Sequence, residues 1–365
     1  MIVAYVSGHG FGHATRTAEV LRRVRELQPQ TAITVVSAAP ERLFRRAIGE
    51  PLSFRTLACD VGLVQKDALT IDTRATVERW KGFARALPDL VDAEWRWLRH
   101  VRARVVLGDI PPLAFQAAHE AGVPSVAMAN FSWDWIYAHY ASREPLLRDA
   151  ARCSADQYGR ASVLLRLPFA GDMSAFPRVE DIGLVAREPG VARAEVRRRL
   201  DLGAQAVVLL SFGGFGLPGL DLRFASSLAG FVFLSTDVVR LIPAPPNLRL
   251  LTDEVLDAKE LTYQDVVGAA DVVVTKPGYG IVSDAIAAGV RMIYTDRGDF
   301  PEYDVLVRDM KTSLACVHLD QAELRKGRLG DALRDVMALD PPPAPDLSGG
   351  DVAAWRLLEL GARGA

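Results

Sequence analysis

Two histidines lie in a glycine-rich turn near the start of the chain, where residues 7–13 read SGHGFGH. An apolar run at residues 2–7 precedes the turn and predicts a β-strand, and we expect a helix to begin near Ala14. Glycines let the backbone turn sharply and stay close to a ligand, but a phosphate needs no imidazole. Because histidine exchanges protons near neutral pH, the turn indicates proton transfer as well as binding. His13 is the candidate general base, and His9 is a candidate substrate contact.

Asp109 is the carboxylate that could orient such a base. It follows an apolar run at residues 103–108 that predicts another strand. A carboxylate that accepts a hydrogen bond from an imidazole fixes the ring and stabilises its protonated form. Two alternatives stay open, namely that Asp109 caps the helix predicted at residues 113–121, and that His13 only caps a helix or orients a substrate. Arg16 either faces an anionic ligand or forms a surface ion pair.

Glycine turns recur in the second half of the chain. Gly213 and Gly214 follow one apolar run, and the turn at residues 276–280 (KPGYG) follows another and opens a predicted helix. Backbone N–H groups and helix N-termini of this kind can bind phosphates. Ser283 and Asp284 come within the first turns of that helix, where a carboxylate can accept two hydrogen bonds from a ribose diol. The alternative is an acidic side chain that only favours a helix N-terminus.

The elements around these residues alternate between short β-rich runs and amphipathic segments, which is typical of doubly wound parallel sheets. We therefore predict an α/β fold with two Rossmann-like domains that face a cleft. The N-terminal domain is expected at residues 1–180 and the C-terminal domain at residues 181–345. A last helix within residues 346–365 is expected to pack back on the N-terminal domain. Because ligands bind outside the carboxyl ends of such strands, the loops of both domains would line one cleft.

Composition excludes several classes of protein. Of the 365 residues, 50% are hydrophobic and 24% are charged, which fits a globular protein with two cores. A formal net charge of −2 offers no basic face for a nucleic acid. Cys59, Cys153 and Cys316 lack the spacing of a disulfide framework or a zinc site. No apolar run is long enough to span a bilayer, so we expect a cytoplasmic protein, with peripheral membrane contact left open.

Six segments resemble the GT-B glycosyltransferases, and in particular the N-terminal glycosyltransferase-like region of plant L-arabinokinases. They are spread over almost the whole chain, and the first is long and specific. The matching segments are residues 8–16 (GHGFGHATR), 67–70 (DALT), 130–134 (NFSWD), 166–168 (RLP), 212–214 (FGG) and 278–280 (GYG).

The resemblance implies roles for particular residues. His13 matches the base that acts on an acceptor hydroxyl, Asp109 its aspartate partner, Asp284 the ribose contact and Glu302 a contact to the donor sugar. The glutamine usual in the donor-sugar segment is absent, as is the histidine-containing signature of the plant enzymes. The predicted donor and nucleotide contacts are Gly12, Gly213, Gly214, Lys276, Gly278, Tyr279, Gly280, Ser283, Asp284 and Glu302. The predicted acceptor contacts are His9, Asp67, Trp133 and Asp134.

We therefore expect an inverting, metal-independent glycosyltransferase that uses a nucleotide sugar, in the first instance a uridine diphosphate sugar, and needs no further cofactor. Two alternatives remain, a nucleotide-sugar epimerase of the same fold and a non-catalytic domain that binds a sugar or nucleotide. The acceptor is not identified by the sequence. Trp133, Trp135, Tyr137 and His139 either stack on it or belong to the core.

Overall fold

Two parallel sheets organise the chain in the computed structural model, which describes residues 1–65, 70–213, 217, 219–236 and 244–363. A seven-stranded sheet comes from the first half and a six-stranded sheet from the second. Helices connect most of the successive strands in both halves. This architecture confirms the predicted α/β class with two Rossmann-like units.

The first sheet has the strand order β3-β2-β1-β4-β5-β6-β7. Its strands are β1 (Ile2–Val6), β2 (Ile33–Ser37), β3 (Ser53–Thr56), β4 (Val105–Asp109), β5 (Ser125–Ala129), β6 (Val163–Arg166) and β7 (Val179–Asp181). The helices between them are α1 (Phe11–Leu27), α2 (Glu41–Ile48), α3 (Thr73–His100), α4 (Pro112–Ala121), α5 (Trp133–Tyr140) and α6 (Leu147–Tyr158).

The second sheet has the order β10-β9-β8-β11-β12-β13. Its strands are β8 (Ala206–Ser211), β9 (Phe231–Ser235), β10 (Leu248–Leu250), β11 (Val272–Thr275), β12 (Arg291–Tyr294) and β13 (Cys316–His318). The α-helices of this half are α7 (Arg193–Arg199), α8 (Asp253–Ala258), α9 (Tyr263–Ala269), α10 (Tyr279–Ala287), α11 (Pro301–Met310), α12 (Gln321–Arg325), α13 (Gly330–Met337) and α14 (Gly349–Arg363).

The order of strands reverses once in each sheet, between β1 and β4 and between β8 and β11. At such a point the loops that follow the two neighbouring strands run in opposite directions. A crevice therefore opens at the carboxyl ends of these strands. In the first sheet Val6 pairs with Asp109, and the turn after β1 therefore begins beside the last residue of β4. The sequence of β1, IVAYV, is buried at every position, as expected for a strand covered on both faces by helices.

The C-terminal helix α14 packs against α1 of the first unit. Its apolar residues Ala353, Ala354 and Leu357 lie in the same hydrophobic core as the first sheet. An ion pair of 3.4 Å between Arg23 and Asp351 accompanies this contact. The last helix of the chain therefore crosses back from the second unit to the first.

Two helices begin earlier than the sequence suggested. We expected helices from Ala14 and from Ile281, but α1 begins at Phe11 and α10 at Tyr279. The N-cap of α1 is Gly10, whose φ of +79° permits a turn that other residues rarely adopt. His13 consequently lies in the first turn of α1 rather than in a loop ahead of it.

Four short strands were not predicted, namely β3, β6, β7 and β13. Two of them, β3 (SFRT) and β7 (VED), have half-buried or exposed residues and no apolar run to identify them. They form because a neighbouring strand offers free backbone groups, which is a tertiary effect. Among the helices described, none combines the length and the apolar composition needed to cross a lipid bilayer.

Gly108 provides a test of how tightly the first sheet packs on α4. A Cβ added to Gly108 would lie 2.4 Å from the ring of Phe115, so Gly108→Ala should lower the free energy of unfolding by about 1–3 kcal/mol. Urea denaturation measures this change. The control is Gly82→Ala on α3, where a Cβ meets no atom within 4 Å and alanine should add about 0.5–1 kcal/mol. Equal stability of Gly108→Ala and the wild type would contradict the packing.

Candidate active site

The imidazole of His13 and the carboxylate of Asp109 meet at the switch point of the first sheet. The Nδ1 atom of His13 lies 2.8 Å from Oδ1 of Asp109. If Nδ1–H donates to the carboxylate, Nε2 is the nitrogen that can take up a proton. The alternative that Asp109 caps α4 is wrong, because Pro111 occupies the N-cap and no side chain caps that helix.

Arg16 holds the same carboxylate from one turn further along α1. Its Nε donates to Oδ2 of Asp109 at 2.8 Å, and its Nη2 donates to Oδ1 at 2.5 Å. The hydroxyl of Thr17 donates to Oδ2 at 2.7 Å. Arg16 is 4% exposed and pairs with this buried carboxylate, so it does not form the surface ion pair that was one of the two expectations from the sequence.

These partners keep Asp109 ionised although it is completely buried. Burial alone would raise the pKa of Asp109, but the charges and hydrogen bonds of Arg16 and His13 outweigh it and lower the pKa from 3.8 to about 2. A negative charge therefore persists beside the imidazole over the whole neutral range.

A buried asparagine joins this cluster to the second unit. The Oδ1 atom of Asn130 accepts a hydrogen bond from Nη1 of Arg16 at 2.7 Å, and its Nδ2 donates to Oε1 of Glu302 at 2.7 Å. The other carboxylate oxygen of Glu302 accepts from Nη1 of Arg297 at 2.6 Å. Glu302 is 3% exposed and lies in the first turn of α11. Acidic and basic groups thus alternate across the boundary between the two units.

The N-termini of α1 and α10 lie against each other. A Cβ added to Gly280 would lie 3.8 Å from Cα of Gly12, so the two backbones pass almost in contact. Around Gly12 itself no atom lies within 4 Å of the corresponding position. Free N–H groups and the positive ends of two helix dipoles suit an anion.

Other predicted donor contacts lie in the turns that feed this space. Lys276 and Gly278 lie in the turn between β11 and α10. Gly213 follows β8 with a φ of +73°. Gly214 lies outside the described residues.

Three predicted donor residues on α10 already have partners. Tyr279 is buried, with its hydroxyl accepting from the backbone N–H of Val185 and its ring beneath the guanidinium of Arg16 at 5.2 Å. Ser283 is fully buried and donates to the carbonyl of Tyr279. The carboxylate of Asp284 accepts hydrogen bonds from the side chain and the backbone N–H of Arg187. Asp284 can therefore accept from a ribose only if Arg187 moves aside.

The predicted acceptor side contains a second histidine beside an aspartate. Nε2 of His9 lies 3.6 Å from Oδ1 of Asp60, and the indole N–H of Trp133 donates to Oδ2 of Asp60 at 2.8 Å. Burial lowers the pKa of His9 below its usual value despite the opposing effect of Asp60. A neutral imidazole can both donate and accept hydrogen bonds at pH 7. His9 is half-buried and therefore reachable from the cleft.

The aromatic residues near this histidine belong mainly to the core. Trp133 is 3% exposed and stacks on the equally buried Tyr137, which leaves neither ring free to stack on an acceptor. Asp134 is half-buried at the start of α5, and burial raises its pKa. Asp67 lies outside the described residues.

Four residues that sequence reasoning did not assign take part in the site: Asp60, Asn130, Arg187 and Arg297. Asn130 had a usable signal, because it directly follows β5 in the way that Asp109 ends β4. Polar residues at the carboxyl ends of adjacent parallel strands meet at one edge of the sheet. The other three lie in loops without a regular pattern, so only their contacts identify them.

Comparison with known proteins gives one curated relative. An L-arabinokinase of Arabidopsis thaliana is 35% identical over 361 residues, which cover 97% of this chain and 34% of that protein. The chain thus spans about a third of the length of this relative. No protein-family model matches the chain.

Solved structures of glycosyltransferases resemble the whole chain. The glycotransferase of kitacinnamycin has a TM-score of 0.60 at 20% identity, covering 100% of this chain and 96% of its own. The glycosyltransferase SnogD from Streptomyces nogalater has a TM-score of 0.54 at 18% identity, with 99% of both chains covered. A UGT transferase from Siraitia grosvenorii, solved in complex with UDP, has a TM-score of 0.55 at 13% identity, again with 99% of both chains covered.

The pairing of Asp109 predicts a specific acid sensitivity. Because its pKa is lowered to about 2 in the folded protein, the stabilisation is fully present above about pH 4 and is lost as the pH falls towards 2. We expect the wild type to lose about 2 kcal/mol of unfolding free energy over this interval through Asp109. Asp109→Asn should be less stable at pH 7 by about 3–5 kcal/mol, because Arg16 loses its counter-charge, and should lack this acid-dependent loss. Denaturation at several pH values measures the stability at pH 7 and the loss of stability in acid. The exposed Asp89→Asn is the control. The same acid-dependent loss in Asp109→Asn would contradict the assignment.

Strand order and the likeness to solved structures agree. Both sheets reverse their order at a central switch point, and similar glycosyltransferases align with the chain over nearly its full length. The chain therefore has the two-domain GT-B fold of these glycosyltransferases, and is similar in sequence to about a third of a plant L-arabinokinase.

Proposed function

We propose that this protein is an inverting glycosyltransferase that moves a sugar from a nucleotide-sugar donor to an acceptor hydroxyl. The observation that carries the proposal is the contact of 2.8 Å between His13 and Asp109, in the first turn of a helix whose N-terminus faces that of α10. Such a transfer needs an oriented base and a site that binds the leaving anion.

In the proposed reaction, Nε2 of His13 takes the proton of the acceptor hydroxyl. The oxygen attacks the anomeric carbon of the donor, and the bond from that carbon to the diphosphate oxygen breaks. The proton stays on the imidazole, which Asp109 stabilises through Nδ1, and the electron pair leaves with the diphosphate. Attack on the face opposite the leaving group inverts the anomeric configuration.

The leaving diphosphate would lie at the N-termini of α1 and α10. Gly12, Gly278 and Gly280 have no side chains to cover the backbone there, and Arg297, which is paired with Glu302, lies beside the same turn with its Nη1 3.4 Å from the carbonyl of Pro277. Fixed dipoles and a guanidinium stabilise developing negative charge without a metal ion. We therefore propose a metal-independent reaction with no cofactor beyond the nucleotide sugar.

Uridine diphosphate is the proposed nucleotide, since three similar glycosyltransferases were solved in complex with UDP. Asp284 is the proposed ribose contact, with Arg187 releasing it on binding. Glu302 is the proposed contact to the donor sugar. On the acceptor side we propose His9, which Asp60 supports, together with Asp67 and Asp134.

A second candidate function is a domain that binds a nucleotide sugar without transferring it. The observation in its favour is that the curated relative is named an L-arabinokinase and is about three times the length of this chain. Such a domain would bind UDP or a UDP-sugar and show no turnover with any acceptor.

Replacement of His13 tests the proposed base. His13→Ala should lower kcat for sugar transfer by about 10²–10⁴-fold, the usual contribution of a general base, with the affinity for UDP within about twofold of the wild type. Transfer is measured as the release of UDP when a panel of UDP-sugars is incubated with a mixture of sugars and phenols as acceptors. Calorimetry measures UDP binding. The exposed His100→Ala on α3 is the matched control and should behave as the wild type.

Three outcomes separate the candidates. Turnover retained in His13→Ala would remove the base from the mechanism. Binding of UDP by the wild type with no turnover across the panel would favour the binding domain. If no nucleoside diphosphate raised the melting temperature or bound in the calorimeter, both candidates would fail.

A further inference from the structure

Asn130 occupies the point where the two domains exchange hydrogen bonds beneath the cleft. It is completely buried and directly follows β5. Its carbonyl oxygen accepts from Arg16, and its amide nitrogen donates to Glu302, both at 2.7 Å. The opposite orientation of the amide would turn its N–H groups to a guanidinium and its oxygen to a carboxylate. The chemistry of the two neighbours therefore fixes the orientation of the side chain.

The group on each side of Asn130 is itself held in place. Arg16 also forms two bonds with Asp109, which in turn holds His13, and its Nη2 lies 3.1 Å from Nδ1 of His13 itself. A planar guanidinium bound at two points cannot rotate without breaking both. Arg16 therefore transmits the position of Asn130 to the carboxylate that orients the imidazole.

On the donor side, Glu302 is fixed by a second guanidinium. Arg297 donates to its free oxygen at 2.6 Å and lies 4.0 Å from the position of a Cβ on Gly278, in the turn that opens α10. A continuous chain of hydrogen bonds thus runs from the imidazole to the turn where the diphosphate is proposed to lie. Asn130 is the member that supplies both a donor and an acceptor to this chain.

We propose that Asn130 is a positioning residue that holds the His13–Asp109 pair and the donor-side Glu302 in one arrangement when the domains are closed. The inference rests on the proposed function, in which Glu302 contacts the donor sugar. A side chain with both an acceptor and a donor, at this length, is required because one neighbour is a cation and the other an anion. Loss of either bond would let the base and the donor sugar shift relative to each other.

The isosteric variant Asn130→Asp tests this directly. The new carboxylate still accepts from Arg16 but faces the carboxylate of Glu302, where the wild type donates a hydrogen bond. Two carboxylates that share a site take up one proton between them as the pH falls, and that proton restores the missing bond. Asp109, His13 and Arg297 lie one contact further away and are the same in both proteins.

At pH 8 we expect kcat/KM of Asn130→Asp for UDP-glucose to fall about 10- to 100-fold, the usual effect of losing a hydrogen bond to a charged group, while UDP affinity stays within about twofold. The ratio of variant to wild-type kcat/KM should rise as the pH is lowered to 5. A merely structural role would leave this ratio flat. The control is Tyr140→Phe, which removes a different bond between the domains, from the Tyr140 hydroxyl to the carbonyl of Asp299. This variant leaves every hydrogen bond between His13 and Arg297 in place.

Nuclear magnetic resonance of the imidazole of His13 gives a readout that needs no donor. Its signals should move in Asn130→Asp at pH 8 and return towards the wild-type position at pH 5, and should stay in place in Tyr140→Phe. The double variant Asn130→Asp/Glu302→Gln reverses the polarity of the bond, because the new amide can donate to the new carboxylate. It should fold and restore the His13 signals at every pH, including where the single variant does not fold.

The outcomes separate this inference from the proposed function. If the wild type binds no nucleoside diphosphate, the proposed function fails, and the His13 signals still decide whether Asn130 is coupled to the base. Unchanged His13 signals in Asn130→Asp, or a pH-independent activity ratio equal to that of Tyr140→Phe, would overturn the inference. Failure of the double variant to restore the signals would do the same.

Discussion

The buried carboxylate of Asp109 is the constraint on which the arrangement of the site depends. An ionised carboxylate without a partner is very unfavourable inside a protein, so the chain must bring cations and donors to the end of β4. Arg16 and Thr17 supply them, and both lie on α1. Because Arg16 and Thr17 must contact this carboxylate, the first turns of α1 pack against the end of β4. In that position His13 lies at hydrogen-bond distance from Asp109. The orientation of the imidazole is thus a consequence of charge compensation.

The same requirement extends across the boundary between the domains. Contacts between domains of one chain are commonly polar and permit relative motion. Here Asp109 and Glu302 each have a guanidinium partner, Arg16 and Arg297, and the amide of Asn130 joins the two pairs. Such a network is stable only when every member has its partner, because partly satisfied buried polar groups are costly. It therefore favours a single arrangement of the two domains, in which the N-termini of α1 and α10 lie against each other.

How much of this could be predicted from the sequence differs from residue to residue. The α/β class, the strand before His13 and the position of Asp109 at a strand end follow from local apolar runs, and the structure agrees. Arg16 was expected at the surface or against a ligand, because one-turn spacing on a helix does not reveal which face is covered. The sequence left open whether Trp133 stacks on an acceptor or belongs to the core. Its burial and its hydrogen bond to Asp60 assign it to the core. The roles of Glu302, Asp284 and the acceptor residues stay predictions.

The sequence by itself determined the elements and the residue types at their ends, because periodic burial and glycine turns are local properties of the chain. It placed a histidine after β1 and an aspartate at the end of β4, and the adjacency of parallel strands then made their meeting plausible. Only the tertiary structure decided that Arg16 shares this aspartate, that Arg187 holds Asp284, and that Asn130 bridges to Glu302. Each of these contacts joins residues more than 90 positions apart, and its strength depends on burial, which no local pattern records.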